Sequence, residues 1–243
     1  MEGICKLCGQ QKTLQYSHIV PAFAVRWLKQ TSLTGYLKSL KSKVRLQETR
    51  RIYLLCKECE QILSCDEKLF CENIFIPYHK QNKQQFEYGS WLRRFIVGLH
   101  WKVLVAVKSE KYPPEIEAIY TKAELEWRQF LLGNAASPGD AEFHLFLSDV
   151  VEDASSELPR KINWYLSRGF DLTPIYSETG MAGVYAMIAK TLTFSYLTPK
   201  ADSSDEMIGT QINEQGVLQT GQTIQSRIGS FIIDRAKVIE RFP

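Results

Sequence analysis

Cys5-Lys-Leu-Cys8 and Cys56-Lys-Glu-Cys59 are two CxxC pairs about fifty residues apart, and how they are read decides the fold of the first third of this chain. Two residues between ligands let both thiolates approach one ion from a tight turn, and two such turns complete the tetrahedral four-sulfur shell that zinc favours. The pattern therefore predicts a structural Zn²⁺ held by Cys5, Cys8, Cys56 and Cys59. The alternatives are chance turns or a redox dithiol. A redox pair normally opens a helix after a buried strand, whereas Cys5 and Cys8 sit near the chain's start beside Gly9. After Gly9, Thr13 to Ile19 reads as a short strand. Ile52-Tyr-Leu-Leu55 is a second β-prone run, and it leads into Glu60 to Phe70, where Ile62, Leu63, Leu69 and Phe70 recur at helical spacing. Knuckle, hairpin, knuckle and helix in that order make a treble clef, with the last two ligands on a strand end and the first turn of a helix. Cys65 and Cys71 fall on that helix without a CxxC partner and read as core or surface thiols.

The composition fits this picture. With 243 residues, 44% hydrophobic and 23% charged, the chain can bury a sizeable core and is neither disordered, collagenous nor coiled coil. The net charge of +3 conceals an asymmetry: residues 1–51 hold ten Lys/Arg against Glu2 and Glu48, a local +8, and the remainder is −5. A basic end of that size points to an anionic partner. The longest apolar run, Phe95 to Val107, is too short for the ~20 residues of a membrane span and contains His100 and Lys102, so no membrane is expected. MEGICKLCGQ has no apolar segment before its first cysteines, which predicts a cytoplasmic protein whose six cysteines are reduced or metal-bound.

Between the knuckles lies Tyr16-Ser17-His18-Ile19-Val20-Pro21. Here residues 1–78 resemble the HNH family of metal-dependent endonucleases, in particular its members with a four-cysteine zinc treble clef. In that family a His at the end of the first strand, commonly within Asp-His-Ile-x-Pro, is the general base for phosphodiester hydrolysis. A polar helix residue, often directly after the last zinc Cys, helps to hold a divalent cation. Carried over residue by residue, the resemblance implies His18 as general base and Glu60 as cation ligand, with Ser17 or Glu67 nearby and Mg²⁺ or Mn²⁺ as catalytic ion. It also implies DNA as substrate and a place in bacterial defence, including antiviral defence, or in mobile elements. An imidazole near its ordinary pKa can take a proton from water at neutral pH, and a hard cation stabilises charge on phosphate oxygens. Glu60, Ser64 and Glu67 are spaced to share one helix face. Three departures stand beside this: Ser17 occupies a place usually held by Asp, Glu60 one usually held by Asn or His, and the motif's middle Asn has no counterpart. A degenerate, non-catalytic HNH-like module that binds nucleic acid or protein is the rival.

After Pro21 a short helix sets Phe23 and Trp27 on one side and Arg26 and Lys29 elsewhere. Lys38, Lys41, Lys43, Arg45, Arg50 and Arg51 follow in a basic excursion before the second knuckle. Together these eight cations form the expected nucleic-acid-binding surface, which grips phosphates with weak sequence preference. Arg93-Arg94 extends it.

The remaining chain reads as a larger domain, and the whole as α+β. Residues 79–87 form a polar linker, and 88–243 a domain whose open roles are target choice, homodimerisation and docking to a protein partner. Trp91 to Val107 predicts a buried helix and Glu124 to Leu132 a second. Phe143–Leu147, Ile162–Leu166 and Val184–Leu197 predict strands, Ile208–Ile212 with Val217 onward a hairpin, and Ile228 to Ile239 a closing helix. His79, His100 and His144 are isolated and read as surface or core histidines.

Overall fold

The structure is a computed structural model and describes residues 1–38, 45–46, 49, 51–106, 112–147, 158–178, 180–198, 210–222 and 227–240. It begins with β1 (Glu2–Ile4), the first knuckle and β2 (Gln11–His18). Next come α1 (Ala22–Gln30), the short pair β3 (Leu37–Lys38) and β4 (Arg45–Leu46), and β5 (Arg51–Cys56). Then α2 (Lys57–Phe70) continues through a π turn at Cys71–Phe75 into α3 (Ile76–Gln81). β1, β2 and β5 form an antiparallel sheet in that order, with His18 opposite Arg51 and Leu14 opposite Cys56. The expected order of knuckle, hairpin, knuckle and helix is present, with Cys56 closing β5 and Cys59 in the first turn of α2.

The chain goes on with β6 (Gln85–Tyr88), α4 (Ser90–Ala106), α5 (Pro114–Leu131), β7 (Glu142–Leu147), α6 (Ile162–Arg168), β8 (Phe170–Tyr176), β9 (Ala182–Ile188), β10 (Thr191–Thr198), β11 (Gly216–Gln219) and α7 (Arg227–Glu240). The fold is mixed α+β. β7, β10, β9 and β8 make one antiparallel sheet with helices on both faces. Strand β9 is buried throughout, and its alternation explains the layering. Ala182, Val184, Ala186 and Ile188 join the core shared with α4 and α5, while Tyr185 and Met187 join a second core with Tyr165, Leu166, Ile232 and Ala236 of α6 and α7.

α4 is the central helix and has a nearly all-apolar circumference. It packs on α2, α5 and the sheet. Phe70 stacks on Phe95 at 4.1 Å between ring centroids, and Gly98 lets α2 approach: a Cβ there would stand 3.2 Å from Leu63 Cδ2. Through these contacts one buried cluster runs from Cys5 to Leu218, so the cysteine knuckles and the large sheet share a core.

Three expectations differ. Ile162–Leu166 is helical, because Ile162, Tyr165 and Leu166 recur at i, i+3, i+4 and all three are buried, with Trp164 turned outward. Gly216–Gln219 pairs with Gln85–Tyr88 instead of forming a hairpin with the segment before it, and Gly216 leaves room for its cross-strand partner, since a Cβ there would stand 2.7 Å from Tyr88 Oη and force that ring to shift. Thr210 to Ile212 instead runs beside β7, where Leu145 donates to the Thr210 carbonyl and Ile212 to that of Phe143. Arg93 and Arg94 do not extend a basic surface: Arg93 pairs with Glu214 at 3.0 Å, and Arg94 pairs with buried Asp66 at 3.2 Å and donates to the carbonyls of Phe130 and Leu131.

Candidate functional site

The hairpin return of β5 onto β2 brings the two knuckles together, so that one sulfur from each of Cys5, Cys8, Cys56 and Cys59 lies within 4.8 Å of the others. Cys8 Sγ and Cys56 Sγ are 3.9 Å apart. A tetrahedral ion with Zn–S bonds of about 2.3 Å separates its sulfurs by about 3.8 Å, so the Cys8–Cys56 spacing already matches and the cluster as a whole is close enough to hold one metal ion. Around them the backbone is already arranged for thiolates: the Cys56 N–H donates to Cys5 Sγ at 3.3 Å. Burial opposes ionisation of Cys5, but the N–H groups of Cys56, Cys8 and Leu7 outweigh it and bring its pKa down to about 7. Burial and the adjacent Cys56 and Cys5 sulfurs push Cys59 far up. Cys65 is exposed and Cys71 half-buried, both outside the cluster.

One turn along α2 the sequence-predicted residues separate into two groups. Ser17 is buried, at 1% exposure, and its hydroxyl donates to Glu60 Oε2 at 2.6 Å. These positions are 43 residues apart in sequence and meet because the inner face of β2 packs on α2. Glu67, two turns on, accepts from Lys102 Nζ at 2.6 Å. Lys102 comes from α4 and is 3% exposed. Burial draws its pKa down, Glu67 and Glu60 more than offset that, and the net shift is upward. Ser64, expected on the same face, is exposed and bonded to the Gln61 carbonyl.

His18 follows Ser17 on the strand and so belongs to the opposite face by strand alternation, together with Tyr16 and across from Arg51. It is thus Ser17 and Lys102 that reach the α2 carboxylates. Lys102 was missed as a site residue, although a lysine within an apolar helix carries a signal of its own, since a fully buried ammonium requires a carboxylate partner.

Of the expected cationic surface, Arg26 is exposed on α1 and Lys29 half-buried in its last turn. Arg51 lies on β5 with its guanidinium 6.0 Å from the Tyr16 ring centre. Lys38 and Arg45 are paired across β3 and β4. Lys41, Lys43 and Arg50 lie outside the described residues. No helix among the described residues is long and apolar enough to cross a membrane. Compared with protein-family models, with curated proteins and with solved structures, the chain matches none.

Proposed function

We propose that the N-terminal part is a zinc-stabilised, HNH-like treble clef that binds nucleic acid and whose cleavage centre is closed by Lys102. The observation that carries this reading is the 2.6 Å contact between the buried Lys102 Nζ and the half-buried Glu67, with Glu60 near enough to act on the same ammonium. A catalytic Mg²⁺ or Mn²⁺ held by these carboxylates would sit within about 5 Å of the ammonium, where a divalent charge is repelled by several kcal/mol even at an effective dielectric constant of about 20. The lysine supplies the counter-charge that an HNH centre takes from its metal. Glu60 is further engaged by Ser17, a neutral residue where the family carries Asp. Binding draws on the +8 of residues 1–51, which supports phosphate contacts with weak sequence preference.

The second reading, a metal-dependent DNA endonuclease with His18 as general base, is favoured by a different observation. Ser17 and Glu60 converge at 2.6 Å, in the two positions where the resemblance puts the cation ligands. One experiment separates the two: plasmid nicking with Mg²⁺ or Mn²⁺ alongside binding of a labelled duplex at several salt concentrations. Salt-dependent binding without nicking is expected. Nicking that disappears in His18→Ala overturns the closed-centre reading in favour of the endonuclease, and absence of binding at low salt to both the duplex and a labelled single strand run beside it removes nucleic acid as the partner.

A further inference from the structure

The outer face of the β2–β5 hairpin carries two tyrosines that the core does not use. Tyr16 and Tyr53 are cross-strand partners with ring centroids 5.0 Å apart and planes tilted by 39°, and they remain 55% and 46% exposed. Arg51 holds its guanidinium 6.0 Å from the Tyr16 ring, and His18 lies directly across from Arg51. On the inner face the same strands bury Ser17 and Leu54. Sheet packing therefore accounts for one side of the hairpin, while the other presents two tyrosine rings, each about half exposed, in the most basic fifth of the chain.

We propose that this face is a stacking platform for unpaired bases, with Tyr16 and Tyr53 taking the bases and Arg51 and its basic neighbours the phosphates, so that the partner is single-stranded nucleic acid. The inference rests on the nucleic-acid reading above and specifies the partner. One observation and two physical arguments select it. The local +8 matches a polyanion. Aromatic side chains at the surface of a charged groove are what non-specific single-strand binders use, because every base has a π-face. In a duplex the base faces are already stacked on one another, so the tyrosine rings could add little there.

The test is fluorescence anisotropy with a labelled oligo(dT) of about fifteen nucleotides, which cannot pair with itself, and a duplex of equal length. The wild type binds the oligo(dT) more tightly than the duplex. Y16A/Y53A weakens oligo(dT) binding by about tenfold or more, with duplex affinity, bound metal and far-UV circular dichroism unchanged. Y16F/Y53F keeps wild-type affinity, since stacking needs the ring and not the hydroxyl. Unchanged oligo(dT) affinity in Y16A/Y53A overturns the platform, as does an equal loss on both probes, which would mean that the tyrosines only shape the hairpin. Displacement of oligo(dT) by poly-glutamate as readily as by unlabelled oligo(dT) overturns it in favour of an acidic protein. If the wild type binds neither probe, the underlying nucleic-acid reading falls with it, so the two failures are distinct.

Discussion

Removing Lys102 tests both the packing of α4 on α2 and the closure of the carboxylate pair. In Glu67→Leu the ammonium is left 3% exposed without its 2.6 Å partner. An uncompensated buried charge of this kind costs about 3–5 kcal/mol. In Lys102→Met the stranded group is Glu67, whose side chain is 21% exposed and can draw water, so about 2 kcal/mol is expected. Lys102→Met/Glu67→Leu replaces both charges by apolar groups of similar volume and falls near the wild type. The cycle thus predicts a coupling of at least about 2 kcal/mol, well outside the few tenths seen for independent sites. Urea denaturation at pH 7 with the metal retained measures it. Glu67→Leu alone should lower the midpoint by about 1 M or more for a slope near 3 kcal/mol/M. The same variants report on the metal. Lys102→Met removes the ammonium on which both Glu67 and Glu60 act, so millimolar Mn²⁺ should restore part of its lost stability and do nothing for the wild type. Additive single variants would refute the ion pair as a coupled unit. Equal stabilisation of wild type and variant by Mn²⁺ would refute the closure.

The four-cysteine cluster predicts about one zinc per chain in protein purified without chelator, and Cys56→Ser should lose it together with at least about 3 kcal/mol of stability. Much less than one zinc, with all four thiols titrating freely in the folded protein, would undo the site. His100 is fully buried between Ser195 and Thr193, and desolvation takes its pKa down to about 3; burial takes that of His144 to about 4. Both folded values lie below the unfolded ~6.5, so the unfolded chain binds the extra protons: stability is full above about pH 6.5 and falls as pH drops toward 4. At pH 5 the two together should cost about 4 kcal/mol relative to pH 7, and His100→Gln should remove about half of that dependence in urea titrations; an unchanged slope in the variant would locate the effect elsewhere.

What was legible in the sequence divides along physical lines. The treble clef could be read because ligand spacing is local: each CxxC pair announces a turn whatever surrounds it, and the flanking runs had clear periods. Ile162–Leu166 failed because a five-residue run with one β-branched and two aromatic side chains suits either period, and only burial of Ile162, Tyr165 and Leu166 against the sheet decides for helix. The hairpin joining β9 to β10 hid for another reason. Its two turn residues, Ala189 and Lys190, have φ of 43° and 66°, a conformation that Asn-Gly normally signals. Here it is imposed by tertiary bonds from their N–H groups to the carbonyls of Gly169 and Leu166. At the site, Ser17 and Glu60 were singled out by motif position, yet their direct bond depends on the face that β2 turns to α2. Lys102 had no motif to mark it.

The charge asymmetry of the chain bears on why that lysine is where it is. Residues after 51 sum to −5, and α2, which carries Glu60, Asp66 and Glu67, belongs to that acidic part while packing under the basic hairpin. Acidic side chains beneath the surface proposed to hold phosphates would weaken such binding unless neutralised from within. α4 does this with two cations: Arg94 takes Asp66 at 3.2 Å, and Lys102 takes Glu67 at 2.6 Å. Both pairs face the helix interface, so α4 fastens the cysteine module to the large sheet and screens its carboxylates at once. On this account Lys102→Met should weaken nucleic-acid binding although Lys102 is buried, by adding net negative charge under the hairpin, and the loss should shrink as salt is raised. A loss independent of salt would point to unfolding of the hairpin instead.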